Sequence, residues 1–140
     1  MTDSARAFLT ALEAATNSHD LDALVACFTE DYSNQTPVHP ARAFTGREQV
    51  RSNWQQIFGF VPDIQATVLK WVSSDAAVWS EWQLAGTRHD GTQHLMRGVI
   101  IFGLEGDRAC SARFYLEPVD EESSDVGAAL RAQVHADAPS

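Results

Sequence analysis

The chain has 140 residues, enough for one domain with its own apolar core and no need of staples. Ten basic against nineteen acidic side chains leave a net charge of −9, which argues against a nucleic-acid binder and against docking on anionic membrane. The early residues make no secretory leader and no apolar run reaches the roughly 18 residues of a membrane span, so a cytoplasmic location is expected.

Ala5, Phe8, Leu9, Leu12 and Ala15 recur at helical spacing and predict a first helix, capped by Asp3 or Ser4. Asn17, Ser18 and His19 break it. Asp20 then caps a short second helix that buries Leu21, Leu24, Val25 and Phe28. Residues 31–44 are expected to be irregular or extended, punctuated by Pro37 and Pro40. Thr45-Gly46-Arg47-Glu48 reads as a capping box opening a third helix, with Val50, Trp54, Ile57 and Phe58 on one side and Pro62 ending it.

From Asp63 the period changes to two, and four strands are predicted near 63–72, 76–88, 92–103 and 107–117. Asp90-Gly91 signals a two-residue hairpin, and Leu104-Glu105-Gly106 a three-residue turn. After Pro118 the chain is acidic and rich in Ala and Ser. Residues 1–118 are therefore expected to form the domain and 119–140 a loose tail, with a short helix near 126–134. Three helices followed by an antiparallel meander make an α+β fold, with the helices covering one face of the sheet.

If the two turns set the register, one face carries Trp79, Glu81, Gln83, Ala85, Met96, Gly98, Ile100, Phe102, Cys110, Ala112, Phe114 and Leu116. Small Gly98 and Ala112 would leave room for a ligand above the sheet, walled by Trp79, Met96, Phe114 and Leu116 and roofed by Trp54. Glu81 is the expected catalytic group, because burial of a carboxylate raises its pKa toward that of a general acid or base. Gln83 would orient a polar group of the guest. The opposite face would carry Val78, Ser80, Trp82, Leu84, Arg97, Val99, Ile101, Arg113, Tyr115 and Glu117. It is apolar enough to suggest a homodimer packed through it, and Arg97 and Arg113 would be neighbours needing a carboxylate. Cys27 and Cys110 read as buried or half-buried thiols. The histidines show no metal spacing, so no metal or other cofactor is expected; His89 and His94 are expected at the surface, and His39 in an exposed loop.

The stretches Leu24-Val25-Ala26-Cys27-Phe28, Asp31-Tyr32-Ser33-Asn34-Gln35-Thr36-Pro37, Thr45-Gly46-Arg47-Glu48 and Phe102 through Tyr115 resemble the SnoaL-like branch of the nuclear transport factor 2 superfamily. The resemblance spans residues 5–118 and implies the cone-shaped, cystatin-like fold of that superfamily. Ketosteroid isomerases keep three catalytic groups where this chain has Leu12, Thr36 and Gly98, so that chemistry is not implied. Tyr32-Ser33-Asn34 is similar to the Tyr-x-Asn pair with which limonene-type epoxide hydrolases position water. Residues two apart on a strand share a face, so Tyr32 and Asn34 join the expected site. The Asp-Arg-Asp set of those hydrolases is not matched: Trp79, Glu81 and Phe114 fall nearest. SnoaL-type cyclases use a single acid–base aspartate in an apolar pocket, a role that Glu81 would take. The implied function is binding of a small apolar molecule, with cofactor-free isomerisation, cyclisation or hydrolysis. The alternative is a non-catalytic binding or dimerisation domain.

Overall fold

The computed structural model describes residues 2–121 and 125–137, with side chains at 3–121 and 125–134. In chain order the elements are α1 (Thr2–Asn17), α2 (Leu21–Val25), β1 (Phe28–Gln35), a 3-10 turn (Pro40–Arg42), β2 (Phe44–Thr45), α3 (Arg47–Phe60), β3 (Gln65–Ser74), β4 (Ala77–Thr87), β5 (Gln93–Glu105), β6 (Arg108–Pro118) and α4 (Val126–Asp137).

No basic residue in the last turn of α1 complements its dipole, an effect of about 0.3–1 kcal/mol. Burial of Phe8, Leu9 and Leu12, at roughly 1.5–3 kcal/mol each, outweighs that loss and fixes the helix on the sheet. Phe8 meets Phe102 edge to face at 4.7 Å between ring centroids. The five-residue α2 is too short to stand alone. It is held by burial of Leu24 and Val25 and by Asp20, whose side chain accepts from the Ala23 N–H. The capping box expected at Thr45 does not form. Thr45 is drawn into β2 opposite Ser33, and Gly46 (φ +92°) becomes the N-cap of α3 without a side-chain bond.

The six strands lie in the order β2-β1-β6-β5-β4-β3. The meander β3–β6 is antiparallel as expected, but β1 joins it parallel to β6, with Asn34 opposite Ala112. The segment expected to be irregular or extended therefore begins with an inner strand of the sheet. At the far end, Val126–Asp137 forms the helix expected in the tail, with Val126, Leu130 and Val134 exposed.

The first hairpin differs from expectation by one residue. Arg88 pairs with Thr92 (N to O 2.9 Å), and the loop is His89-Asp90-Gly91, with Gly91 N–H donating to the Arg88 carbonyl and Gly91 at φ +84°. This is a three-residue loop with a glycine bulge, stabilised as Asp90 Oδ1 accepts from the Thr92 N–H. The extra residue sets Glu81 opposite Val99 and Gln83 opposite Arg97, and it turns β4 over. Val78, Ser80, Trp82 and Leu84 are buried on the inner face, where Trp79, Glu81 and Gln83 were expected.

The second hairpin also differs: Glu105 pairs with Arg108 around Gly106-Asp107. Here a bulge at Cys110 adds a second odd step, so the parity of β6 survives. Ile100, Phe102, Ala112, Phe114 and Leu116 stay on the inner side, with Gly98 opposite Leu116 rather than Ala112. Arg97 and Arg113 are not neighbours. Arg97 lies opposite Glu117 and donates to Gln83 Oε1, while Arg113 donates to the Tyr115 hydroxyl.

Candidate functional site

A cavity of about 340 Å³ opens between β1, α3 and the inner face of β5 and β6. A deeper apolar recess of about 40 Å³ continues it, sharing Phe28, Trp54, Leu84, Phe114 and Leu116 with the outer chamber and ending on Leu12, Ile100 and Phe102. Of the residues expected at the site, Tyr32, Asn34, Trp54, Met96, Phe114 and Leu116 line this space.

The others lie elsewhere. Glu81 and Trp79 are exposed on the outer face, where they border an open hollow together with Leu69, Val72 and Val99. Gln83 is on that face too, bonded to Arg97. The cause is the three-residue loop described above. A proton-transfer role for Glu81 in the cavity is thereby removed. Gly98 does not form a cavity floor: a Cβ there would lie 2.0 Å from the Tyr115 carbonyl oxygen, so its bareness serves the close approach of β5 and β6. Ala112 is buried between Phe102 and Asn34 in the sheet and does not reach the cavity.

The polar groups that do reach it come from several elements. The Tyr32 hydroxyl donates to Asn34 Oδ1 at 2.6 Å, both side chains being buried on the same face of β1. Burial pushes the Tyr32 phenol well above its ordinary range, so it remains a proton donor. With Oδ1 occupied, Asn34 keeps its amide N–H groups for a guest. Thr36, Arg42 and Asn53 also line it. No aspartate or glutamate is among the lining residues.

His94, expected at the surface, lines the cavity instead. Its Nδ1 is sealed from solvent and has no hydrogen-bond partner, while desolvation and then the charge of Arg88 hold its pKa below the usual value. A neutral imidazole whose buried Nδ1 has no partner is thus built into the cavity wall. Among polar groups of the inner face, Ser80 is fully engaged: it donates to the Ile100 carbonyl and accepts from Trp82 Nε1. His39 is half-buried, its Nε2 2.8 Å from Glu117 Oε1, which ties the loop after β1 to β6. His89 is exposed, as expected. Cys27 is a free, buried thiol, its pKa pushed up to about 11 by burial and then by Asp107. Among the described residues no group of three or more His, Cys, Asp or Glu could hold a metal, and no helix is long and apolar enough to cross a membrane.

A sheet roofed by helices around an apolar cavity is the architecture of the nuclear transport factor 2-like, or cystatin-like, proteins. The chain belongs to the SnoaL-like domain family, whose model matches residues 5–112. No curated protein matches it significantly. Among solved structures it is similar to a hypothetical protein of Catenulispora acidiphila with a ketosteroid isomerase-like fold, solved with trimethylamine (TM-score 0.67, 19% identity, 86% of this chain and 90% of that one). IdmH of Streptomyces antibioticus, a candidate polyketide cyclase, gives 0.68 at 22% identity over 79% of this chain and 89% of that one. A nuclear transport factor 2-like protein of Anabaena variabilis gives 0.69 at 18% identity over 89% and 92%. Identities this low establish the fold alone.

Proposed function

We propose that the protein binds a small, mainly apolar organic molecule in this cavity and moves a proton on it without a cofactor. Tyr32 and Asn34 hold a carbonyl or hydroxyl of the guest, and His94, neutral at physiological pH, accepts the proton. Enolisation of a bound ketone is the elementary step shared by isomerisation and cyclisation of this kind. The observation that carries the reading is the place of His94 in the wall of an apolar chamber that also holds the Tyr32–Asn34 pair.

The test is exchange of the α-protons of 2-tetralone in deuterated buffer, followed by NMR. The native protein accelerates exchange, and His94→Gln keeps binding but loses the acceleration. Equal rates for both proteins remove His94 from the chemistry.

A second reading, binding without catalysis, is favoured by the lack of any carboxylate among the lining residues. It predicts that 2-tetralone binds with no exchange above the buffer rate. In either reading the outer face of the sheet, with Val72 65% and Trp79 50% exposed, joins two copies in a homodimer.

A further inference from the structure

Arg42 stands at the rim of the cavity on the 3-10 turn Pro40–Arg42. Proline at its start and hydrogen bonds from the Arg42 and Ala43 N–H groups fix this turn, and the His39–Glu117 pair anchors it to β6. The neighbouring cations are spoken for: Arg47 pairs with Glu30 at 3.4 Å and Arg51 with Asp22 at 2.8 Å. The Arg42 side chain has no hydrogen bond or ion pair with any described residue. In a chain with nineteen acidic side chains against ten basic ones, a cation with no partner among the described residues, at the mouth of a chamber without lining carboxylates, is an offer of charge. An anion entering an apolar space gives up hydration and is tolerated only with a partner, and guanidinium matches carboxylate with two parallel N–H donors.

We propose that the preferred guests are small apolar acids, whose carboxylate pairs with Arg42 at the rim while the hydrocarbon body lies against Trp54, Met96, Phe114 and Leu116. This rests on the ligand-binding reading above and adds the chemical class of the guest. The chamber, at about 340 Å³, sits at the small end of ligand sites and suits one or two fused rings.

The experiment compares acids with their neutral amides by calorimetry on the full chain: 2-naphthoate with 2-naphthamide, and cyclohexaneacetate with its amide, at low salt. The native protein binds each acid about tenfold more tightly than its amide. Arg42→Gln brings the ratio to about one by weakening the acids alone. Arg113→Gln makes the same change of net charge on the outer face and keeps the preference. A ratio near one in the native protein, or its loss in Arg113→Gln as much as in Arg42→Gln, overturns the assignment to Arg42 while leaving ligand binding intact. If none of the four compounds binds, the ligand-binding reading falls and the acid preference falls with it.

Discussion

The Tyr32 hydroxyl reaches Asn34 Oδ1 across 2.6 Å inside the cavity wall, so that one hydrogen bond satisfies a buried phenol and leaves the Asn34 amide N–H groups unspent. Neither group has bulk water as a fallback, since both side chains are buried. The pair is thus structural, and its removal is read in stability.

Tyr32→Phe leaves Asn34 Oδ1 without its donor. The unsatisfied group costs about 1–3 kcal/mol of stability, measured by urea unfolding. A double-mutant cycle with Asn34→Leu recovers a coupling of at least about 0.5 kcal/mol. Additive losses would mean that the bond contributes nothing.

His94 makes stability depend on pH in a defined direction. Its folded pKa lies below the usual 6.5, so as pH falls the unfolded chain takes up this proton first. Its contribution is complete above about pH 6.5 and is lost as pH falls from there toward the folded value. The urea midpoint of the native protein therefore declines below about pH 6.5 more steeply than that of His94→Gln. Parallel curves would show that Nδ1 is hydrated after all.

Gly98 and Gly91 separate close approach from backbone freedom. A Cβ at Gly98 meets main-chain atoms of Tyr115 and Leu116 at 2.0 and 2.7 Å, so Gly98→Ala forces β5 and β6 apart and costs about 3 kcal/mol or more. At Gly91 nothing lies within 4 Å, and alanine meets only the left-handed backbone at φ +84°, about 1–2 kcal/mol. Thermal unfolding of the two variants gives this order. The reverse order would place the strand contact wrongly.

On the outer face, Trp79→Glu plants a charge in the exposed apolar patch and is expected to convert the proposed homodimer to monomers in sedimentation equilibrium, with the proposed cavity binding of 2-tetralone unchanged. Glu81→Gln leaves the proposed cavity binding unchanged, as befits an exposed carboxylate that does not line the chamber. A native protein that sediments as a monomer at high concentration rejects the dimer.

The architecture was legible from periodicity because α1, α3 and the meander each carry several apolar residues in phase. The site was legible by halves, and strand parity explains which half. At β6 the expected turn was wrong and the Cys110 bulge was unforeseen, yet the two odd steps cancelled and left Phe114 and Leu116 inside. At β4 one odd step stood alone, contributed by His89 in a loop read as Asp90-Gly91 only, and it carried Trp79, Glu81 and Gln83 to the wrong side. His94 was within reach: it lies two residues before Met96 on β5, and residues two apart share a face. Arg42 gave no such signal, because a turn between two prolines and a short strand has no period to read. The pairing of β1 with β6 was equally silent, since a parallel partner distant in sequence leaves no local turn signature.

That pairing also sets when the chamber comes into being. Its Tyr32–Asn34 wall is made early in synthesis, but the strand it leans on is the last of the sheet to leave the ribosome. Until then β1 lacks its parallel neighbour and the backbone edge that β6 pairs with is open. The cavity is therefore incomplete until Phe114 and Leu116, which β6 contributes to its wall, have been released.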